Sequence, residues 1–263
     1  MNATRPLLAN GFLKRSVDEL KRLSSIAWKL EGVKGPSGPR PLYDFKTRAS
    51  VDDCIIMSDD IIGGSSKSNL EFVDRSDTNL NPSTGAQTPS PARYARFHGQ
   101  ISTSLPAGRP NIQRSGYAAF RTPDQPPTVF GRSVWDIDPY TYLAMRIKSD
   151  GRAYFINLQT EAVEPTDLHQ HRLFAKRPGQ WETVMVKWND FVRTNHGFVV
   201  EPQTELLRQK VRSIGIGLTD RIEGPFELCI AQVWATNHAT DGATIVTSEE
   251  SELKNRKGKK IHW

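Results

Sequence analysis

Side chains able to do chemistry are few in this 263-residue chain, and they do not converge on one site. The densest polar run is Ser58-Asp59-Asp60-Ile61-Ile62-Gly63-Gly64-Ser65-Ser66. Adjacent carboxylates beside a glycine pair could offer oxygen ligands to a cation such as Ca²⁺, but the alternate-position acids of a calcium loop are missing. The simpler reading is structural, with the glycines supplying positive φ or a close backbone approach ahead of a strand. His169 and His171 are spaced like same-face strand residues, which can chelate a metal, yet no third ligand stands out. Cys54 and Cys229 lie far apart with no reactive flanking motif and read as small buried apolar groups. Gly215-Ile216-Gly217-Leu218 opens no helix and so is not a dinucleotide fingerprint. With no nucleophile elbow, P-loop or zincin motif either, the expectation is no catalytic set, no metal and no cofactor.

The surrounding elements read as strands. Leu143, Met145 and Ile147 alternate with polar neighbours, as do Tyr154, Ile156 and Leu158, giving period-two strands with one polar face each. Asp150-Gly151 between them is a tight-turn signal, so residues 141–159 are expected to form a β-hairpin. Further strands are expected at 94–101 and 115–121, and around Val184–Trp188, Ile214–Leu218 and Phe226–Ile230. No helix alternates with them, which favours an all-β jelly-roll sandwich over a βαβ fold. Trp135, Tyr140, Tyr142, Trp181, Trp188 and Trp234 could line a sugar-binding face, although core and edge packing is the commoner use of such residues. Residues 74–93 are rich in Asp, Asn, Pro, Ser and Thr, the composition of a mobile loop.

The formal charge of +6 invites a nucleic-acid reading. Split by segment, that reading weakens. Residues 1–40 carry a net +5 and residues 249–263 a net +2, leaving the body, 41–248, at −1. No apolar run approaches the roughly 18–20 residues of a membrane-spanning helix. Three regions follow: a basic leader with a Gly/Pro linker over 1–40, a β-sandwich over 41–248 and a basic tail over 249–263.

Within the leader, residues 12–30 fit an amphipathic helix. Leu13, Val17, Leu20, Leu23, Ala27, Trp28 and Leu30 fall within an arc of about 160° at helical periodicity. Lys14, Arg15, Lys21, Arg22 and Lys29 gather opposite. Such a helix suits a membrane interface or a partner groove. Packing on its own domain, or a targeting role, are the alternatives, and Asp18 and Glu19 fit poorly with a cleaved presequence.

One ordered set of motifs resembles a known family. Ser58 to Ser65 and Ser115-Gly116-Tyr117-Ala118-Ala119-Phe120-Arg121 are followed by Trp135-Asp136, Tyr142-Leu143 and Asp150-Gly151-Arg152-Ala153-Tyr154-Phe155. Gly179-Gln180-Trp181-Glu182-Thr183-Val184, Asp190-Phe191, Ser213-Ile214-Gly215-Ile216 and Gly224-Pro225-Phe226-Glu227-Leu228 complete it. Over residues 51–236 the series is similar to the complex I intermediate-associated protein 30 family. The long 74–93 segment departs from the family's compact pattern, as an insertion would.

That resemblance implies a galactose-binding-like jelly roll without catalytic activity. It implies an assembly factor, or chaperone, for mitochondrial respiratory complex I, bound to membrane-arm intermediates at the matrix side of the inner membrane. The implied partners are other assembly factors: an acyl-CoA-dehydrogenase-like factor and an adaptor in animals, or a pentatricopeptide-repeat factor in fungi. A carbohydrate-binding or RNA-associated module of the same sandwich class is the alternative, and the body's net −1 argues against nucleic acid. The residues carried over, as structural ones, are Asp60, Gly63, Gly64, Ser65, Gly116, Asp150, Gly151, Arg152, Trp181, Gly224, Pro225 and Phe226.

Overall fold

The computed structural model describes residues 7–29, 35–36, 38–75, 90–106, 109, 111–112, 114–162, 164, 166–239 and 243–246. Most of the expected 74–93 loop, and all of the basic tail, lie outside the described residues. Two helices and fourteen strands appear among them. The helices are α1 (Leu7–Trp28) and α2 (Arg48–Asp52). The first seven strands are β1 (Arg40–Asp44), β2 (Ile55–Ser58), β3 (Lys67–Asp74), β4 (Arg93–Ile101), β5 (Tyr117–Arg121), β6 (Tyr142–Ser149) and β7 (Tyr154–Thr160). The rest are β8 (Asp167–Arg172), β9 (Trp181–Lys187), β10 (Val192–Asn195), β11 (Phe198–Val199), β12 (Val211–Thr219), β13 (Gly224–Thr236) and β14 (Ala243–Val246).

The strands form two sheets of seven. The first runs β14-β9-β6-β13-β4-β3, and β1 pairs with the second half of β13 beyond the end of β4. The second runs β11-β10-β8-β7-β12-β5-β2. Every pairing is antiparallel except β14 on β9. Alternation decides which face of each strand turns inward: along β7, Tyr154, Ile156 and Leu158 are buried, while Phe155, Asn157 and Gln159 are half-exposed. Phe97 packs at 5.0 Å ring spacing on both Phe120 and Phe226, so the aromatic centre of the core joins the two sheets. Each such fully buried side chain stabilises the fold by roughly 1.5–3 kcal/mol.

The all-β sandwich expected from the sequence is present. The 141–159 hairpin is not. β6 pairs with β13 and β9, whereas β7 pairs with β12 and β8 in the other sheet. The Asp150-Gly151 turn therefore carries the chain across the core. Gly151 adopts φ +92°, so the turn signal was correctly placed. A turn fixes a reversal of direction, but competing edges decide the pairing, and here Asp150 is hydrogen-bonded to Glu227 of β13 on the first sheet. A hairpin does form later, where His196 (φ +49°) and Gly197 (φ +76°) link β10 to β11, the conformation of a tight two-residue turn.

Candidate functional site

Motif residues around Asp59, Gly116, Asp150 and Gly224 meet at one end of the sandwich, where they build a hydrogen-bonded network. Its centre is Asp59, 2 % exposed. Its carboxylate accepts from Ser66 N–H (2.9 Å) and Ser66 Oγ (2.8 Å), and from the backbone N–H groups of Gly116 (2.6 Å) and Tyr117 (3.2 Å). A buried carboxylate is tolerated only with such a set of donors. Gly63, at φ +86°, ends the short turn of Asp59–Ile62. A Cβ on Gly64 would lie 2.4 Å from Asp59 Cγ, so glycine alone lets the chain pass the carboxylate.

The network continues through Gly116, which adopts φ +89° and accepts from Asp220 N–H at 3.1 Å. Asp220 holds Arg152 through an ion pair of 3.1 Å, and Arg152 also donates to the carbonyl of Ile222 at 2.9 Å. Asp150 accepts from Arg152 N–H, Tyr154 Oη and Glu227 N–H. Gly224, at φ +134°, leaves room for the Arg152 guanidinium, which a Cβ would approach to 2.9 Å. Phe226 projects into the core, and Pro225 beside it is exposed.

The sequence reading named neighbours of two key groups. Asp60 is exposed and its carboxylate takes a 2.6 Å hydrogen bond from Ser58 Oγ, and Ser65 is exposed as well. Asp59 and Ser66 occupy the buried positions. Which of two adjacent acids turns inward depends on the turn geometry, which composition does not carry. Trp181 lies apart from this end, buried on the outer side of β9 against Tyr94 at 5.1 Å.

The leader helix packs the opposite way from a core helix. Ser16 is its most buried described residue, and its Oγ accepts from Val129 N–H at 3.0 Å. Phe12, Arg15, Glu19, Arg22 and Ile26 share that side at intermediate exposure, with Arg22 clamped to Glu19 at 2.6 Å. The apolar arc turns outward: Leu13, Val17, Leu20 and Leu23 are 41–58 % exposed and Trp28 91 %. Ala27, Lys14 and Lys21 are exposed too. Leu30 lies outside the described residues.

The other candidates are accounted for by packing. His169 and His171 share a face of β8, as expected, but that face is the core. Burial pushes the His171 pKa down to about 4, and its ring sits against Phe191 and Phe174. Burial raises the thiol pKa of Cys54 to about 11 and of Cys229 to about 12, which leaves both unreactive at neutral pH. Trp135, Trp181 and Trp188 are buried, whereas Tyr140, Tyr142 and Trp234 are half-buried. Among the described residues no three His, Cys, Asp or Glu side chains group as metal ligands.

One feature was not read from the sequence. The outer face of the second sheet forms a groove of about 1000 Å³ whose lining reaches from Met57 on β2 to Phe198 on β11. Gly215 and Gly217 lie in its floor, and Asn157 and Gln170 stand side by side above them, joined by a 2.8 Å hydrogen bond. The period-two pattern marks these positions as solvent-facing but cannot show that Arg114 and the His196–Phe198 turn line one groove with them.

Two facing sheets, an end network and a grooved outer face define a galactose-binding-like jelly-roll sandwich. The same fold occurs in a family 11 carbohydrate-binding module of a Clostridium thermocellum cellulase, at TM-score 0.50 and 14% identity over 81% of this chain and 99% of that one. The chain belongs to the complex I intermediate-associated protein 30 family, whose model matches residues 43–230. The Neurospora crassa protein named "Complex I intermediate-associated protein 30, mitochondrial" is 53% identical, covering 99% of this chain and 96% of the relative. Its mouse namesake is 28% identical over 74% of this chain, which spans 58% of that longer protein. The Drosophila melanogaster namesake is 26% identical over 73% of this chain.

Proposed function

We propose that the protein is a non-enzymatic assembly factor for mitochondrial respiratory complex I. The observation that carries this reading is the 53% identity to the Neurospora protein along almost the whole of both chains. The chemistry agrees: the motif residues support the fold, and His169, His171 and both thiols are buried. The protein works on the matrix side of the inner membrane, holding membrane-arm intermediates that are not yet complete. The fungal relative favours the partner set that includes a pentatricopeptide-repeat factor.

Attachment is peripheral and runs through α1. No described helix is long and apolar enough to cross a membrane. An outward apolar arc flanked by Lys14 and Lys21 is instead suited to lie in an anionic lipid interface. Affinity purification of the tagged protein from detergent-solubilised mitochondria is the test. Complex I membrane-arm subunits are expected to co-purify above a tag-only control, and their absence in a strain still assembling the enzyme would overturn the reading.

A further inference from the structure

We infer that the groove on the second sheet binds an extended acidic polypeptide segment. Three observations carry this: its charge, its length and its hydrogen-bonding groups. Arg114, Arg121 and Arg172 line it, and no Asp or Glu does among the described residues. Arg121 is paired with Asp124 at 3.1 Å from outside the groove. Arg114 and Arg172 face only aromatic rings, Phe198 at 5.7 Å and Phe174 at 5.0 Å, and neither is paired with a carboxylate among the described residues. Guanidinium groups held by rings in this way keep their donor edges free for carboxylates.

The length follows from the register. Arg121, Gly215, Asn157, Gln170 and Val192 stand in one row across β5, β12, β7, β8 and β10. Phe155 and Arg172 stand in the next row, opposite Gly217. With strands about 4.8 Å apart, the run from β2 to β10 is about 24 Å, which matches about seven residues of extended chain. A mononucleotide or a single sugar would fill only part of it.

The floor and walls suit a backbone. A Cβ on Gly217 would stand 2.9 Å from Asn157 Nδ2, and one on Gly215 would stand 2.7 Å from the Phe120 carbonyl, so glycines keep the floor low. The single hydrogen bond between Gln170 Nε2 and Asn157 Oδ1 leaves Asn157 Nδ2 as a donor and Gln170 Oε1 as an acceptor. A peptide group needs one of each. The occupant is therefore a peptide whose carboxylates meet Arg114 and Arg172 while its backbone lies on the amide pair. This inference does not depend on the assembly role, because it concerns direct binding by the purified protein.

Fluorescence anisotropy with a labelled eight-residue peptide of alternating Glu and Ser tests it. Saturable binding is expected, at least tenfold tighter than for the same peptide with Gln in place of Glu. The Arg114→Gln/Arg172→Gln variant should lose at least tenfold in affinity at an unchanged melting temperature, since both side chains are exposed. Equal affinity for the Glu and Gln peptides would overturn the proposal. So would undiminished binding by the double variant, or tighter binding of an eight-nucleotide RNA or a mixed-linked glucan tetrasaccharide than of the acidic peptide.

Discussion

The backbone N–H of Gly116 donates to Asp59 Oδ2 at 2.6 Å, tying together residues 57 positions apart. It fastens the turn after β2 to the start of β5. The same carboxylate holds Ser66 just ahead of β3, so one buried side chain organises the exit of β2 and the entry of β3 and β5.

Replacing Asp59 by Ala strands those donors in a buried site. The expected loss is roughly 3–5 kcal/mol, the scale of breaking a buried charged network. Asp60→Ala, at an exposed position, should change stability by no more than about 0.5 kcal/mol. Urea unfolding of both variants decides the matter, and equal effects would contradict the assignment.

Gly116→Ala should also destabilise the fold strongly. At φ +89° any Cβ is strained, and here it would stand 2.4 Å from the Asp220 carbonyl oxygen. Left-handed strain alone costs about 1–2 kcal/mol, and displacing Asp220 also disturbs its pair with Arg152. Thermal melting should show a clearly larger drop for this variant than for Gly179→Ala, which carries the left-handed strain without the collision. At Gly179 the conformation is also left-handed (φ +79°), but nothing lies near an added Cβ.

Acid should weaken the protein before its carboxylates titrate. Burial lowers the pKa of His171 to about 4 from the 6.5 of a free imidazole, so the unfolded chain binds a proton that the folded one refuses. The stabilisation is complete above pH 6.5 and is lost as pH falls towards 4, amounting to about 3 kcal/mol at most. His169 is shifted in the same direction, also by burial. His171→Phe should flatten the decline in urea-derived stability between pH 6.5 and 4, and an unchanged slope would refute this cause.

The α1 surface gives a test independent of stability. Leu20→Glu combined with Trp28→Glu places charge on two outward positions that are 54 % and 91 % exposed. Co-sedimentation with anionic-lipid vesicles should fall at least several-fold, with the melting temperature unchanged. Undiminished sedimentation would remove α1 as the membrane attachment.

Much of this was legible in the residues because it rests on local rules. Alternation in β6, β7 and β12 follows from the two-residue period of a strand, and the arc of α1 follows from the 3.6-residue period of a helix. The glycines at 63, 116, 151 and 224 mark positive-φ turns, a property of one residue and its neighbours. The order of those motifs was enough to indicate the family.

Tertiary structure decided whatever depends on which surfaces meet. It assigned β6 and β7 to opposite sheets, turned Asp59 inward rather than Asp60, and buried the His169/His171 face. It also left the apolar arc of α1 outside, and brought Arg114 and Arg172 into the lining of one groove. Each of these is a choice among contacts between residues distant in the chain. Such choices are settled by the summed burial and hydrogen bonding of the whole fold, which no local period encodes.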